Sequence, residues 1–284
     1  MLSAGPARPP GSAGSAGSRR QCAVVGHPVW HSLSPAIHRA AYARLGLDWD
    51  YQRHDVAPGG LPKFVAGLDA SWRGLSVTMP HKEDAARLGV GDEPVALTGV
   101  ANTLIFDEGV IAARNTDVAG FRIALAAHGI DQVPTAVIIG NGATARSAVA
   151  ALAGLGTREV QFVVRSAERA RGVVELAESL GLAATVCPPG TEPTPAALVI
   201  STVPADGVVG AAEALAARAE VVFDSVYDPW PTPLAAAAER AGRLVLNGLD
   251  LLAGQAVDQV RWFTGRPIDF EVARSAARAG LSGD

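Results

Sequence analysis

Two groups of residues in this 284-residue chain are of types and spacings that do chemistry. The first lies in the run Ala136–Arg146. There a short apolar, β-branched stretch meets Gly140-Asn141-Gly142 and then the small residues Ala143, Thr144 and Ala145. Glycines let the backbone turn sharply and come close to a ligand. The helix that opens behind them offers unpaired N–H groups, which make an anion site that a pyrophosphate fits. This is the Gly-x-Gly turn of a dinucleotide fold, with Ala143 where a third glycine often sits; such turns also arise from packing alone. The second group is polar: Ser32 and Ser34, Thr78 and Lys82, Asn102 and Thr103, Thr116 and Asp117. They fall at expected strand ends and loops, and in an open α/β sheet those ends face the crevice where ligands bind. Hydroxyls, amides and one lysine suit a small polyhydroxylated acid.

The type of dinucleotide is read where the strand after the glycine turn ends. An acid there accepts from a ribose 2′-hydroxyl and favours NAD, whereas arginine accommodates the 2′-phosphate of NADP. Here Glu159–Val164 runs into Arg165 and Ser166, with Arg169 four residues beyond Arg165. Glu168 already belongs to the next helix. A helix start is a poor place for cations unless they meet an anion. The pattern predicts an NADP clamp by Arg165 and Arg169, with Ser166 as a further donor.

Strands alternating with helices must carry these groups. Strands are expected at 22–26, 49–56 and 74–79, the last broken by Pro80. Helices are expected over 36–45, with Ser34 as N-cap and Pro35 at the first helical position, and from Gly60 to about Gly67. A hairpin follows at 102–106 and 110–113, then a helix to Ala127 that Asp117 can cap. The second series places strands at 135–139, 159–164, 196–201, 220–224 and 243–246. Its helices fall at 144–154, 167–180, 208–218 and 231–241, and two more at 249–263 and 270–279. The fold class is α/β with two sheets meeting near 117–127. An N-terminal α/β substrate domain, 21–116 with 250–284, is joined to a Rossmann-like dinucleotide domain, 117–249, and the C-terminal helices return to the first.

Composition narrows the class. Hydrophobic residues make up 49% and charged residues 18%, enough apolar material for large cores, and the net charge of −4 gives no footprint for nucleic acid or a membrane surface. Cys22 and Cys187 stand alone in separate halves, which suits a reducing cytoplasm and no disulfide or metal framework. No apolar run reaches the roughly 20 residues of a spanning helix. Residues 1–20 are rich in Ser, Ala, Gly and Pro without an apolar signal core, so a disordered leader is expected. His27, His31 and His81 do not have zinc-motif spacing. The five tryptophans, Trp30 among them, are expected in the core.

Taken together, His31-Ser-Leu-Ser-Pro35, Val77-Thr-Met-Pro-His-Lys82, Ala101-Asn-Thr103, Asn115-Thr-Asp117, the Gly140 turn, Asp224-Ser-Val-Tyr227 with Thr232-Pro-Leu234, and Asn247-Gly-Leu249 followed by Gln255 resemble the shikimate dehydrogenase family. The resemblance spans about residues 22–280. It implies NADP(H)-dependent reduction of 3-dehydroshikimate to shikimate in aromatic amino-acid biosynthesis. Carried over, Ser32 and Ser34 hold the substrate carboxylate, with Tyr227 as a further partner. Asn102, Asp117 and Gln255 bind ring hydroxyls with Thr78, and Thr116 joins them. Lys82 and Asp117 form the catalytic pair. Gly140, Asn141, Gly142, Ala143, Thr144, Arg165, Ser166, Arg169, Thr202, Val203 and Gly248 contact the cofactor. The chain departs from the family pattern at Ser76, where asparagine is common, at Ala143 and Val164, and at Asp250, where glycine is usual. Ser76 and Asp250 bear on substrate fit, Ala143 and Val164 on cofactor binding.

A lysine ammonium is a ready proton donor near neutral pH, so ketone reduction would take its proton from Lys82. In reverse the same lysine must accept one, and shikimate oxidation should run faster at alkaline pH. Alternatives are dual quinate/shikimate activity, with Ser76 or Thr116 deciding the fit, or a sensor that binds NADP(H) or the acid without turnover. The protein is expected in the cytoplasm as a monomer or homodimer.

Overall fold

The computed structural model describes residues 19–188 and 191–283, so the leader expected over 1–20 lies almost wholly outside the described residues. In the first sheet β1 (Gln21–Gly26), β2 (Asp50–Asp55) and β3 (Trp72–Val77) run parallel, linked by α1 (Ser34–Leu45) and α2 (Leu61–Ala66). Next come α3 (Lys82–Leu88), β4 (Val90–Gly91) and α4 (Glu93–Thr98), then the hairpin β5 (Thr103–Asp107) and β6 (Val110–Arg114). The strand order is β2-β1-β3-β5-β6-β4, with β5 antiparallel to both β3 and β6.

A second series begins with α5 (Thr116–Ala127). It continues through β7 (Thr135–Ile139), α6 (Ala143–Ala153), β8 (Glu159–Val163), α7 (Ala167–Ser179), β9 (Ala183–Cys187) and β10 (Ala196–Ser201). Then follow α8 (Ala212–Ala217), β11 (Ala219–Asp224), α9 (Pro233–Arg240) and β12 (Leu244–Leu246), and finally α10 (Gly248–Thr264) and α11 (Phe270–Ser282). This sheet is wholly parallel in the order β12-β11-β10-β7-β8-β9. Both faces are covered, which is why β7 reads as a continuous apolar run. Its order reverses between β7 and β10, and the ligand crevice of such a sheet lies at that switch point.

Apolar burial seats α5 against the second sheet. Phe121 of α5 meets Phe223 of β11 edge to face, with ring centroids 5.1 Å apart, a contact worth about 0.5–1.5 kcal/mol beyond its buried area. The C-terminal helices return to the first half. Leu252, Ala256 and Val260 of α10 and Ala273 and Ala277 of α11 share a core cluster with Leu33, Ile37 and Ala41 at α1. Helices α5 and α10 cross with no side chain between them. A Cβ on Gly254 would stand 2.3 Å from the Gly120 carbonyl oxygen, and one on Gly120 would stand 2.8 Å from the Gln255 nitrogen.

Several local expectations need correction. Leu33, not Ser34, is the N-cap of α1, and no side chain caps it. Asn115, not Asp117, caps α5 by accepting from the Asp117 N–H at 3.2 Å, which leaves the Asp117 carboxylate unspent on capping. The helix expected over 208–218 is split into a 3-10 turn over Ala205–Val208 and α8. Gly207 and Gly210 lie at the break, and glycine is a costly helix residue. Trp30 is 67% exposed rather than in the core. Among the described residues no helix is long and apolar enough to cross a membrane.

Candidate active site

The ends of several elements converge on one cavity of about 160 Å³. The loop after β1 brings Ser32 and Ser34, the end of β3 brings Thr78, and the starts of α3 and α5 bring Lys82 and Asp117. Gln255 enters from α10, Tyr227 from the loop after β11, and Thr144 and Gly248 from the first turns of α6 and α10. The serine loop is pinned from below, because Arg53 donates from Nε and Nη2 to the Ser32 carbonyl at 2.9 and 2.7 Å. Tyr227 donates to the His31 carbonyl at 3.3 Å, closing the loop from the other side. Burial, with Asp228 nearby, pushes its phenol up to about 12, so Tyr227 is a neutral hydrogen-bond donor at physiological pH.

Lys82 Nζ lies 2.5 Å from Asp117 Oδ2. A cation in the first turn of a helix faces an unfavourable dipole, at a cost of about 0.3–1 kcal/mol, while an anion there is favoured. The pair therefore sets one helix start against another, with the Asp117 side chain only 3% exposed and that of Lys82 14%. The other carboxylate oxygen accepts from Asn102 Nδ2 at 2.9 Å, and the same amide donates to Gln255 Oε1 at 2.8 Å. Asn102 Oδ1 in turn accepts from Thr103 Oγ1 at 3.0 Å and from Thr116 through its N–H at 2.8 Å and its hydroxyl at 3.0 Å.

Both amide protons of Asn102 are thus engaged inside the protein, and neither Asn102 nor Thr116 is among the cavity-lining residues. They lie behind Asp117 and Gln255, which do line it. With the Gln255 oxygen taken, its NH2 is the group left to bond a ligand. Asp250 also departs from expectation. It is 1% exposed, faces Arg274 at 2.6 Å and His128 at 3.3 Å, and completes a capping box with Asn247. It secures the start of α10 and does not line the cavity.

Gln259, one helical turn beyond Gln255, lines the cavity and is 3% exposed. Sequence reading missed it because a glutamine on a helix resembles a surface residue. The available signal was its i,i+4 spacing from Gln255, which puts both on one face.

At the switch point of the second sheet, Gly140 adopts φ +110°, and a Cβ there would stand 2.5 Å from Thr202 Oγ1. Thr202 donates to the Ile139 carbonyl at 2.8 Å, so it and Val203 flank the glycine turn. Helix α6 begins at Ala143 with Gly142 as N-cap and no side chain bonded to its free N–H groups. Nothing lies within 4 Å of a Cβ built on Gly142, so an anion has room to approach. Asn141 ties the turn to α7 by donating to the Arg169 carbonyl at 2.6 Å. Ser166 is the N-cap of α7, accepting from the Arg169 N–H at 3.5 Å, and Arg165 and Arg169 are exposed. An uncapped helix start between glycines, with two exposed cations beyond the next strand, fits a dinucleotide bearing an extra phosphate. Among the described residues no group of three or more His, Cys, Asp or Glu could hold a metal ion.

The family model for the shikimate dehydrogenase substrate binding domain matches residues 24–104, and that for the shikimate 5'-dehydrogenase C-terminal domain matches 248–278. The chain is 36% identical over 278 residues to shikimate dehydrogenase (NADP(+)) of Methanothermobacter thermautotrophicus, covering 92% of this chain and 96% of the relative. It superimposes on Mycobacterium tuberculosis shikimate dehydrogenase with a TM-score of 0.85 at 39% identity, covering 92% of this chain and 99% of that one. For the Thermus thermophilus shikimate 5-dehydrogenase complex with NADP(H) and shikimate, the TM-score is 0.77 at 32% identity, covering 92% and 100%.

Proposed function

The chain belongs to the shikimate dehydrogenase family, and we propose on that basis how its own residues carry the reaction. The activity is the reversible NADP-dependent reduction of 3-dehydroshikimate to shikimate, a step of chorismate and aromatic amino-acid biosynthesis. The observation that carries the residue assignment is the Lys82–Asp117 contact at 2.5 Å on the wall of a cavity that also reaches Thr144.

Bound NADPH supplies a hydride to the substrate carbonyl carbon. Lys82 gives a proton to the carbonyl oxygen and takes one from the hydroxyl in reverse. Asp117 orients Lys82 and accepts from a neighbouring ring hydroxyl. Ser32 and Ser34 bind the carboxylate, joined by Tyr227 when its hydroxyl turns from the His31 carbonyl to the acid, while Thr78 and the Gln255 amide bind the ring. Asn102 and Thr116 act as positioning residues. On the cofactor side, the N–H groups behind Gly140, Asn141, Gly142, Ala143 and Thr144 hold the pyrophosphate. Arg165 and Arg169, with Ser166, hold the 2′-phosphate. Thr202, Val203 and Gly248 border the remainder of the cofactor.

The same reading divides the chain into a substrate domain of 21–116 with 250–284 and a cofactor domain of 117–249. It is a cytoplasmic protein, monomeric or homodimeric. A panel of shikimate and quinate against NADP+ and NAD+ tests the activity. Rapid NADPH formation with shikimate is expected. Binding of either acid without any absorbance change at 340 nm would replace an enzyme with a sensor.

A further inference from the structure

Behind one wall of the cavity lies a buried chain of polar groups that the reaction as described leaves without a task. Tyr51, His38 and Gln259 are 0%, 0% and 3% exposed, and Ser76, 4% exposed, is where this chain reaches the cavity. Tyr51 donates to Ser76 Oγ at 2.6 Å, and Ser76 donates to Gln259 Oε1 at 2.9 Å. His38 Nε2 is 3.1 Å from the same oxygen. Gln259 Nε2 reaches Thr103 Oγ1 at 3.0 Å and the Asn102 carbonyl at 3.4 Å.

The direction of every proton in this chain follows from one fixed point. The Asn102 carbonyl only accepts, so the Gln259 atom facing it is the NH2. Thr103 agrees, because its single proton goes to Asn102 Oδ1 and its oxygen is left to accept. The other end of Gln259 is then the carbonyl oxygen, which only accepts. His38 must therefore carry its proton on Nε2, leaving Nδ1 as a buried atom without a partner. Ser76 must spend its one proton on Gln259, and Tyr51 must donate to Ser76. One lone pair of Ser76 Oγ remains unspent, and Ser76 lines the cavity. Burial lowers His38 to about 4, so the tautomer that locks this order persists across the physiological range.

We infer that Ser76 is a specificity-determining residue that presents an acceptor and no donor to the bound acid, with Gln259, His38 and Tyr51 as the positioning residues that fix this polarity. A ligand hydroxyl at that point satisfies it. A carbonyl or carboxylate oxygen there would face a second acceptor across a buried contact, where an unmade hydrogen bond is costly. An asparagine in this place would offer both donors and an acceptor, so the serine narrows the choice. The inference rests on the shikimate reading of the cavity and adds to it which side of a ligand hydroxyl is read.

The test compares shikimate with its 4-deoxy and 5-deoxy analogues on the full chain, by steady-state kinetics and by calorimetric binding. Ser76→Ala should lose about five- to tenfold in kcat/KM on shikimate, mainly through KM. It should lose nothing against one of the two analogues, the one lacking the hydroxyl that Ser76 reads. Gln259→Met keeps Ser76 but frees its proton, and should shrink the wild-type discrimination between shikimate and that same analogue. An equal loss on all three acids would reduce Ser76 to a packing role and overturn the inference, as would no loss on any. Unchanged discrimination in a folded Gln259→Met protein would overturn the polarity argument. Wild-type protein that turns over no shikimate would sink the functional reading instead, and the calorimetric series would still report on Ser76.

Discussion

Lys82 and Asp117 are 35 residues apart in the chain, yet Nζ and Oδ2 approach to 2.5 Å, each from the first turn of its own helix. Two consequences follow for a variant without the ammonium: no proton donor faces the carbonyl, while Ser32, Ser34 and Tyr227 still hold the acid. Lys82→Ala should lower kcat by about 10²–10⁴, the usual contribution of positioned general acid–base catalysis, with KM little changed. Steady-state kinetics in both directions checks this, and a wild-type kcat would remove Lys82 from the mechanism.

Asp117→Asn should injure both constants. The amide keeps the shape but loses the charge that holds Lys82, and it can place an NH2 against the Asn102 amide, donor against donor. KM and kcat should both worsen, unlike the Lys82 variant. Unchanged values for both would show that the carboxylate is only a structural partner of Asn102.

The cofactor assignment turns on Arg165. Hydrogen bonds to charged groups contribute about 1.5–3 kcal/mol when shielded, and this residue is exposed, so the low end applies. Arg165→Ala should reduce the preference for NADP+ over NAD+ by about tenfold in kcat/KM while leaving the NAD+ value nearly unchanged. Equal losses with both cofactors would mean that the arginine does not read the 2′-phosphate.

Buried His38 makes stability depend on pH. Its folded value is about 4 against an ordinary 6.5. Between those values the unfolded chain binds a proton that the native protein refuses, so stability falls as pH drops through this window. The full cost below it is about 3 kcal/mol. Asp92, Asp224 and Asp258, which burial raises, have the opposite sign from pH 3.8 upward, so the effect is read as a difference. A Gln amide reaches the position of the His38 Nε2 and can still donate to Gln259, and His38→Gln should flatten the loss between pH 7 and pH 4.5 in urea titrations. Parallel curves for the two proteins would exclude His38 as the source.

Much of this arrangement is legible in the residues. The apolar run of β7, the two glycines after it and the absence of an acid after β8 foretell a covered parallel sheet and its crevice. Other features depend on partners distant in the chain. Strand β9, Ala-Ala-Thr-Val-Cys, sits at a sheet edge with its first residue exposed, and its alanines have little β-propensity. Helices α3 and α4 are only 7 and 6 residues long, too short for apolar periodicity to declare itself. Ser34 and Asp117 have the side chains of caps, but Leu33 and Asn115 occupy those positions. Asn102 and Gln259 look like surface amides until the fold closes over them. Their bonding partners lie as far as 221 residues away in sequence, where no local pattern can point.

The Gly120–Gly254 crossing bears on how this site can change over time. Asp117 lies one turn before Gly120 on α5, and Gln255 follows Gly254 on α10. Two of the cavity's polar groups therefore keep their separation through main-chain contact, with no intervening side chain to exchange. Drift in the surrounding apolar residues can reshape the walls while that separation stays put. A single added methyl at either glycine, already within 3 Å of backbone, would move both helices at once. Adaptation to a larger or smaller acid is thereby channelled into wall positions such as Ser76, and the spacing from Asp117 to Gln255 acts as an inherited ruler.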